Sequence, residues 1–230
     1  MLAATLSRMK ETFMDNVLAG SVIEHDALMM NNVLLIGIAD QTVVDNSFVK
    51  NCIYLAQHGA DKVAKSERQP GPWFDHYAGM FWSMDWTLAE PVEYIKPQFS
   101  GSLKRDWLNV ARPYLSSAQI AQVEAVLGKL ESDGKLLTKM AGLSGKIVSF
   151  NIVPVSYKLN GNLEIVVSHV RFIKSGITTP FLFWTIDQSL SQLDIRIRRL
   201  EIKRRDMDAI RQRVEQATQA LALEFSEYEL

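Results

Sequence analysis

Hydrophobic residues recur at helical spacing through the first 141 residues and at alternating positions through most of the next 60. The predicted helical faces comprise Leu2–Val17, Ile23–Ile38, Phe48–Val63, Phe74–Leu88, Leu103–Val110 and Ile120–Leu130. Serine and a Glu or Gln three residues later predict capping boxes at Ser21 and Ser116. Pro-Gly-Pro at residues 70–72 and the proline after Glu90 predict the start and end of the tryptophan-rich helix.

The apolar period changes to two from Gly145 onward, which predicts strands. Four runs carry the alternating or continuous apolar pattern: 148–152, 163–172, 181–186 and 193–198. Asn160-Gly161 is a typical hairpin turn, and the short connections favour an antiparallel meander of four strands. Helical spacing then returns from Met207 to Leu221.

This order of elements predicts an α+β fold rather than an α/β fold. We expect residues 1–230 to form one integrated domain, with a helical part at 1–141, the antiparallel sheet at 146–203 and a closing amphipathic helix at 204–225. The run 181–186 is apolar on both faces, so helices must cover both sides of the sheet.

Composition is that of a soluble globular chain: 47% hydrophobic residues, 25 Lys+Arg and 26 Asp+Glu, with a net charge of −1. This balance argues against a dedicated nucleic-acid-binding protein, which carries a clear positive excess. The single cysteine, Cys52, excludes an intramolecular disulfide. The N-terminal residues lack a standard secretory signal, so we expect a cytoplasmic protein or one released without such a signal.

No motif for catalysis or cofactor binding is present in the sequence. The four histidines show no metal-ligand spacing, and neither a nucleophile elbow nor a glycine-rich phosphate loop occurs. We therefore expect no metal, no cofactor and no catalytic residue. Cys52 shares an apolar stripe with Phe48 and Leu55, which favours a buried structural role.

Aromatic and acidic residues are concentrated between Trp73 and Glu93. An acid, a base and stacking rings within one stretch are typical of a small-ligand or sugar pocket. The alternative is that these aromatics form the core and the acids its solvated edge. The candidate ligand-binding residues are Asp75, His76, Trp82, Asp85 and Trp86.

A basic cluster lies between Asp194 and Arg213, where eight basic residues are interspersed with four acidic ones and the local charge is about +4. Such an edge suits phosphate, anionic lipid or an acidic partner. The alternative is a solvated strand face whose arginines prevent edge-to-edge pairing. The candidate residues for contact with an anionic surface are Arg196, Arg198, Arg199, Lys203, Arg204 and Arg205.

One stretch of the chain resembles a group of uncharacterised bacterial and fungal proteins that also run from a helical half into strands and a closing helix. The matching residues are 52–57, 60–62, Pro72-Trp73-Phe74, Tyr77 and Asp85-Trp86. The resemblance implies an integrated α+β domain and supplies no catalytic residues.

The first functional hypothesis is a non-enzymatic binding protein, most specifically a membrane-active or toxin-like component. It would act through a concealed apolar helix at Leu28–Ala39 and the basic edge, with a protein or an anionic membrane surface as partner. The second hypothesis is a ligand-binding protein or enzyme that uses residues 73–93. The third is a subunit of a homo-oligomer that assembles through the C-terminal helix.

Overall fold

The structure is a computed structural model, and it describes residues 21–23, 27–30, 33–37, 42–66, 68–132, 147–173 and 185–228. Helices of this described part are α1 (Val43–Val63), α2 (Pro70–Trp82), α3 (Leu103–Ala111), α4 (Ser117–Ser132) and α5 (Arg204–Tyr228), with a 3-10 turn at Arg112–Tyr114. Its strands are β1 (Ser21–Ile23), β2 (Ala27–Met30), β3 (Val33–Ile36), β4 (Thr87–Leu88), β5 (Val92–Ser102), β6 (Ile147–Tyr157), β7 (Leu163–Ile173) and β8 (Thr185–Ile202).

The strands form a mixed sheet in the order β1-β2-β3-β6-β7-β8-β4, and β5 also pairs with β8. β3 and β6 are parallel, whereas the other pairs are antiparallel. The α+β class is therefore confirmed, but the four-stranded antiparallel meander is not. β6, β7 and β8 do follow one another, and the predicted turn at Asn160-Gly161 joins β6 to β7 with Gly161 at a φ of 78°. The predicted strand at 193–198 belongs to the long β8, which also contains Thr185 and Ile186; residues 181–184 lie outside the described part.

The prediction of a helix over Ile23–Ile38 is wrong, and so is the prediction of a concealed helix at Leu28–Ala39. The described residues of this segment form β1, β2 and β3, and Ser21 lies in a strand rather than at a helix cap. All four residues of β3 are buried, with Leu34 and Ile36 in one core and Val33 and Leu35 in the other. A strand buried on both faces is as continuously apolar as a buried helix, so period alone could not separate the two. The helix predicted over Leu2–Val17 lies outside the described residues.

Residues 83–102 also differ from the prediction. The helix expected to reach Leu88 ends at Trp82, and the chain continues into β4 and β5. β5 contains Pro97, and its pairing with β8 shifts register between Lys96 and Phe99. An edge strand tolerates a proline at such an irregularity because the missing N–H leaves no ladder bond broken.

Helices cover both faces of the sheet. We call α1, α2 and α5 the first layer and α3 and α4 the second layer. Alternate residues of β7 serve the two faces: Ile165 and Val167 pack under the first layer, and Val166 and Val170 under the second. Two hydrophobic cores result, one on each side of the sheet.

Local signals place two helices as predicted. Ser116 and Gln119 form the predicted reciprocal capping box at the start of α4, with N–H to side-chain distances of 3.2 and 2.9 Å. α5 extends over Arg204–Tyr228, close to the predicted 204–225. Its apolar residues Met207, Ile210 and Val214 are buried in the first-layer core, so these residues of the helix pack against their own chain.

Candidate ligand groove and basic edge

A groove of ≈ 900 Å³ lies between the turn that follows α2 and the first turns of α5. One wall comes from the turn and β4, and the other from α5. The lining residues are Trp82, Ser83, Asp85, Trp86, Thr87, Leu88, Asp206 and Ala209. The end of β8 brings the walls together, because β4 pairs with Leu200 and Glu201 just before α5 begins.

The two tryptophans of the groove differ in burial. Trp86 is 1% exposed and packs against Phe48 at 6.2 Å and edge-on against Phe81 at 5.7 Å between ring centroids. Trp82 is 74% exposed. α2 buries the face that carries Phe74 and Phe81, and Trp82 directs its ring away from that face at the last residue of the helix. Trp86 therefore supplies a core wall and Trp82 a free aromatic surface.

The two carboxylates of the groove each lie beside an arginine. Asp85 Oδ2 is 3.5 Å from Arg213 Nη2, and Asp206 Oδ1 is 2.9 Å from Arg205 Nη2. Within the described part of the chain, Asp85 alone among non-glycine residues has a positive φ, at 62°. Asp accepts this left-handed conformation better than most residues, at some cost in free energy.

Three of the five predicted ligand residues meet in the groove: Trp82, Asp85 and Trp86. Asp75 and His76 are exposed on α2 and do not line it. Sequence reasoning missed Asp206, which is about 120 residues away from Asp85 along the chain. No local signal could have found it, since α5 reaches this turn through tertiary contacts, among them the pairing of β4 with β8.

The basic edge is divided between the two faces of the sheet. On β8, Arg196 and Arg198 share the first-layer face with Leu200, while Arg199 points to the opposite face. Arg196 forms an ion pair with Glu93, and Arg199 Nε lies 3.7 Å from Glu164. These arginines therefore do not form one continuous basic surface.

Beyond β8, the remaining basic residues surround the start of α5. Lys203 and Arg205 are exposed, and Arg205 pairs with its neighbour Asp206. Arg204 Nη1 is 2.7 Å from Asp45 Oδ2. The described carboxylates thus offset much of the charge that the sequence suggested for this edge.

Asp45 forms a buried ion cluster that sequence reasoning missed. Its side chain is 0% exposed, and its second oxygen, Oδ1, lies 2.7 Å from Arg211 Nη2. The Tyr157 hydroxyl donates to the same carboxylate as Arg204 and Arg211. Burial alone raises the pKa of Asp45, but the hydrogen bonds from Tyr157, Arg211 and Arg204 outweigh it and lower the pKa below its usual value. The cluster joins α1, α5 and β6.

His169 is buried on the same face of the sheet, where its ring lies 4.7 Å from the Trp73 ring and its Nδ1 is 3.1 Å from Asn151 Oδ1. Its pKa is lowered to about 3, mainly by burial; a hydrogen bond with the Ser66 backbone opposes the shift, and the positive charges of Arg196 and Arg171 contribute to it. The neutral imidazole is therefore the form that the fold accommodates.

Cys52 lies in the first-layer core, where burial raises the pKa of its thiol to about 12. The thiol is therefore not activated as a nucleophile. No cluster of three metal-ligating side chains occurs among the residues that the structure describes.

No helix in the described part of the chain is long and apolar enough to span a bilayer. The sequence matches no known protein family and no curated protein. The fold, in contrast, is similar to the solved structure of a delta-endotoxin, with a TM-score of 0.51 and 12% sequence identity. The likeness covers 79% of this chain and 87% of that chain.

Proposed function

We propose that this protein is a non-enzymatic, toxin-like component that acts on membranes. The observation that carries the proposal is the similarity of its fold to a delta-endotoxin over most of both chains. The description as a toxin applies to that neighbour. For this chain, two features of the described residues support a role at membranes.

The first feature is a large apolar surface that is concealed between the sheet and the helices. Eight consecutive residues of β7, Leu163–Val170, are buried, five of them apolar, and both faces of β3 lie in a core. In place of the helix expected at Leu28–Ala39, the concealed apolar element is the sheet itself. One helical layer has to move before such a surface can meet lipid.

The second layer is the one we expect to move. None of the charged side chains of α3 and α4 is fully buried, so in the described part of the chain no buried ion pair holds these helices on the sheet. One buried polar contact joins them to the sheet, the hydrogen bond from Trp107 Nε1 to Ser168 Oγ, at 3.0 Å. Acyl chains are as apolar as a protein core, so the hydrophobic force that holds this layer disappears at a bilayer. Ion pairs strengthen in a low dielectric, so the Asp45 cluster keeps the first layer in place.

The basic edge supports initial contact with anionic lipid. We propose that Lys203 and Arg205, both exposed at the start of α5, make this contact, with Arg199 at the adjoining edge. Arg205 pairs with Asp206 but its side chain stays 85% exposed, whereas Arg204 and Arg196 are more buried beside Asp45 and Glu93 and contribute less. Each exposed basic residue near an anionic surface contributes about 1 kcal/mol of attraction.

Dye release from vesicles tests the proposal. We expect vesicles of phosphatidylcholine with phosphatidylserine to bind the protein and leak, with less binding to phosphatidylcholine alone. The double variant Lys203→Glu/Arg205→Glu should bind anionic vesicles at least about tenfold more weakly. The control Lys62→Glu/Arg68→Glu changes net charge equally on exposed residues between the last turn of α1 and the start of α2 and should bind normally. Absence of binding and leakage with both vesicles between about pH 5 and 8 overturns the proposal.

A second comparison tests which layer moves. Trp107→Phe loosens the second layer by removing the indole hydrogen bond, and it should speed leakage. Asp45→Asn weakens the first layer and should not speed leakage in proportion to its loss of stability. Equal acceleration by both variants would show that general unfolding, rather than movement of the second layer, exposes the sheet.

A further inference from the structure

We propose that the groove beside Trp82 binds a neutral carbohydrate. This inference does not depend on membrane activity, because the stacking ring and the two carboxylates of the groove take no part in the proposed membrane contact. Arg205, the partner of Asp206, is common to both proposals. It concerns a site on the first-layer side of the protein, where the turn after α2 faces the first turns of α5.

Trp82 supplies the stacking surface. Its indole is 74% exposed, yet it lines a groove rather than standing alone on a convex surface. The face of an aromatic ring carries partial negative charge and attracts the weakly positive C–H groups on one side of a pyranose ring. Trp86 cannot play this part because it is buried among Phe48 and Phe81.

Hydrogen-bonding groups line the groove together with the stacking surface. The carboxylates of Asp85 and Asp206 accept bonds from neighbouring hydroxyl groups, and Thr87 can donate or accept. Ser83 Oγ donates its proton to the Met80 carbonyl at 2.6 Å, which leaves its oxygen as an acceptor for ligand hydroxyls. A groove of ≈ 900 Å³ is of the size that accommodates a sugar or a short glycan.

Charge balance selects a neutral ligand. Asp85 is paired with Arg213 and Asp206 with Arg205, so the two carboxylates and the two guanidinium groups cancel. A cationic ligand would have to displace an arginine, and an anionic ligand would meet two carboxylates. A polyol can bond to the two carboxylates without separating the ion pairs, because its hydroxyls donate to carboxylate oxygens and carry no charge.

Saturation-transfer NMR with methyl glycosides of glucose, galactose, mannose and N-acetylglucosamine tests the proposal, with choline and acetate as charged probes. We expect at least one glycoside to bind and to change tryptophan fluorescence. Trp82→Ala should weaken that binding by at least about tenfold without unfolding the protein, since the ring is mostly exposed. Leu159→Ala, which removes another exposed hydrophobic side chain in the turn after β6, should bind as the unmodified protein does.

Trp82→Phe should retain part of the affinity because it keeps a ring face, and Asp206→Asn should weaken binding while preserving the fold. The proposal is overturned when no glycoside binds, when Trp82→Ala binds as tightly as the original protein, or when choline or acetate binds more tightly than every glycoside. The vesicles used above contain no sugar, so failure of either proposal leaves the other intact.

Discussion

The first layer contacts the sheet through buried polar and charged groups as well as hydrocarbon, whereas the second layer contacts it through hydrocarbon and the Trp107 indole. Asp45, His169 and Asn151 are all buried beneath the first layer. On the second-layer side, the buried polar side chains of the described residues include Ser168 and Glu164 on the sheet and Gln119, which belongs to the helix cap. The two layers therefore share a sheet but respond to different conditions.

Acid and membranes act on opposite layers as a consequence. Protons weaken the first layer because they neutralise Asp45 and charge His169, and both changes disfavour the folded arrangement. A bilayer weakens the second layer because hydrocarbon contacts gain nothing over lipid. Four substitutions separate these responses, and they are ordered here from the largest expected loss of stability to the smallest.

Trp107→Ala should lower the free energy of unfolding by about 4 kcal/mol, because it leaves a large cavity between α3 and the sheet. Urea denaturation measures the loss, and it should be the same in low and high salt. Trp107→Phe, which keeps most of the volume, should cost about 1–2 kcal/mol. Ser168 keeps its bond to the Ile152 carbonyl at 2.7 Å, so no buried hydroxyl is left without a partner. A loss below about 1 kcal/mol for the alanine variant would contradict burial of this ring.

Asp45→Asn should cost about 3 kcal/mol, since it removes the charge that faces Arg204 and Arg211. The figure is at the low end for a broken buried pair because the Arg204 side chain remains 49% exposed and can be hydrated. The folded-state pKa of Asp45 is lowered, so its stabilisation is present above the unfolded-state pKa near 3.8 and is lost as pH falls through the lower folded-state pKa. Acid titration of the variant should lack this loss, and an identical acid profile in both proteins would refute the assignment.

His169→Gln should flatten the dependence of stability on pH between about pH 6.5 and 5. The folded-state pKa of about 3 lies below the ordinary value of 6.5, so the stabilisation is complete above pH 6.5 and declines as pH falls towards 3. The expected contribution is at most about 1.4 kcal/mol per pH unit in this window. His76→Gln is the matched control, because it makes the same replacement at an exposed position on α2. A slope that His169→Gln does not reduce would contradict the burial of a neutral imidazole.

Glu201→Gln should cost less than about 1 kcal/mol, although its carboxylate contacts Lys158 at 2.6 Å and Asn162 at 2.7 Å. Hydrogen bonds from these two residues lower the pKa of Glu201, but water still reaches the group and salt screens it. The loss measured by urea denaturation should shrink in high salt. A loss as large as that of Asp45→Asn would mean that burial is not what distinguishes the two carboxylates.

Periodicity predicted those elements whose environment is the same along their whole length. α5 repeats one buried face, and β6 and β7 are joined by a turn that Asn160-Gly161 specifies locally. Ser116 and Gln119 lie three residues apart, so their capping box is visible in the sequence. Three residues of the candidate groove, Trp82, Asp85 and Trp86, could be predicted from the sequence for the same reason, because they are close together along the chain.

The remaining features depend on contacts between distant residues. Val33–Ile36 is continuously apolar whether it forms a helix or a doubly covered strand, and its pairing with β6 selects the strand. In the sequence, Asp45 is an ordinary acidic residue in the first turn of a helix. The folded chain places two arginines of α5 beside it.

The amino-acid sequence by itself determined the α+β class, the β6–β7 hairpin, the closing helix and the absence of a recognisable catalytic motif, because these depend on neighbours within a few residues. The tertiary structure decided the mixed sheet, the two unlike layers, the partners of the basic edge and the second wall of the groove. The mixed sheet and the second wall of the groove arise from pairing between elements more than 100 residues apart, as between β3 and β6 or Asp85 and Arg213, and no local pattern encodes which distant partner a strand or charge will meet.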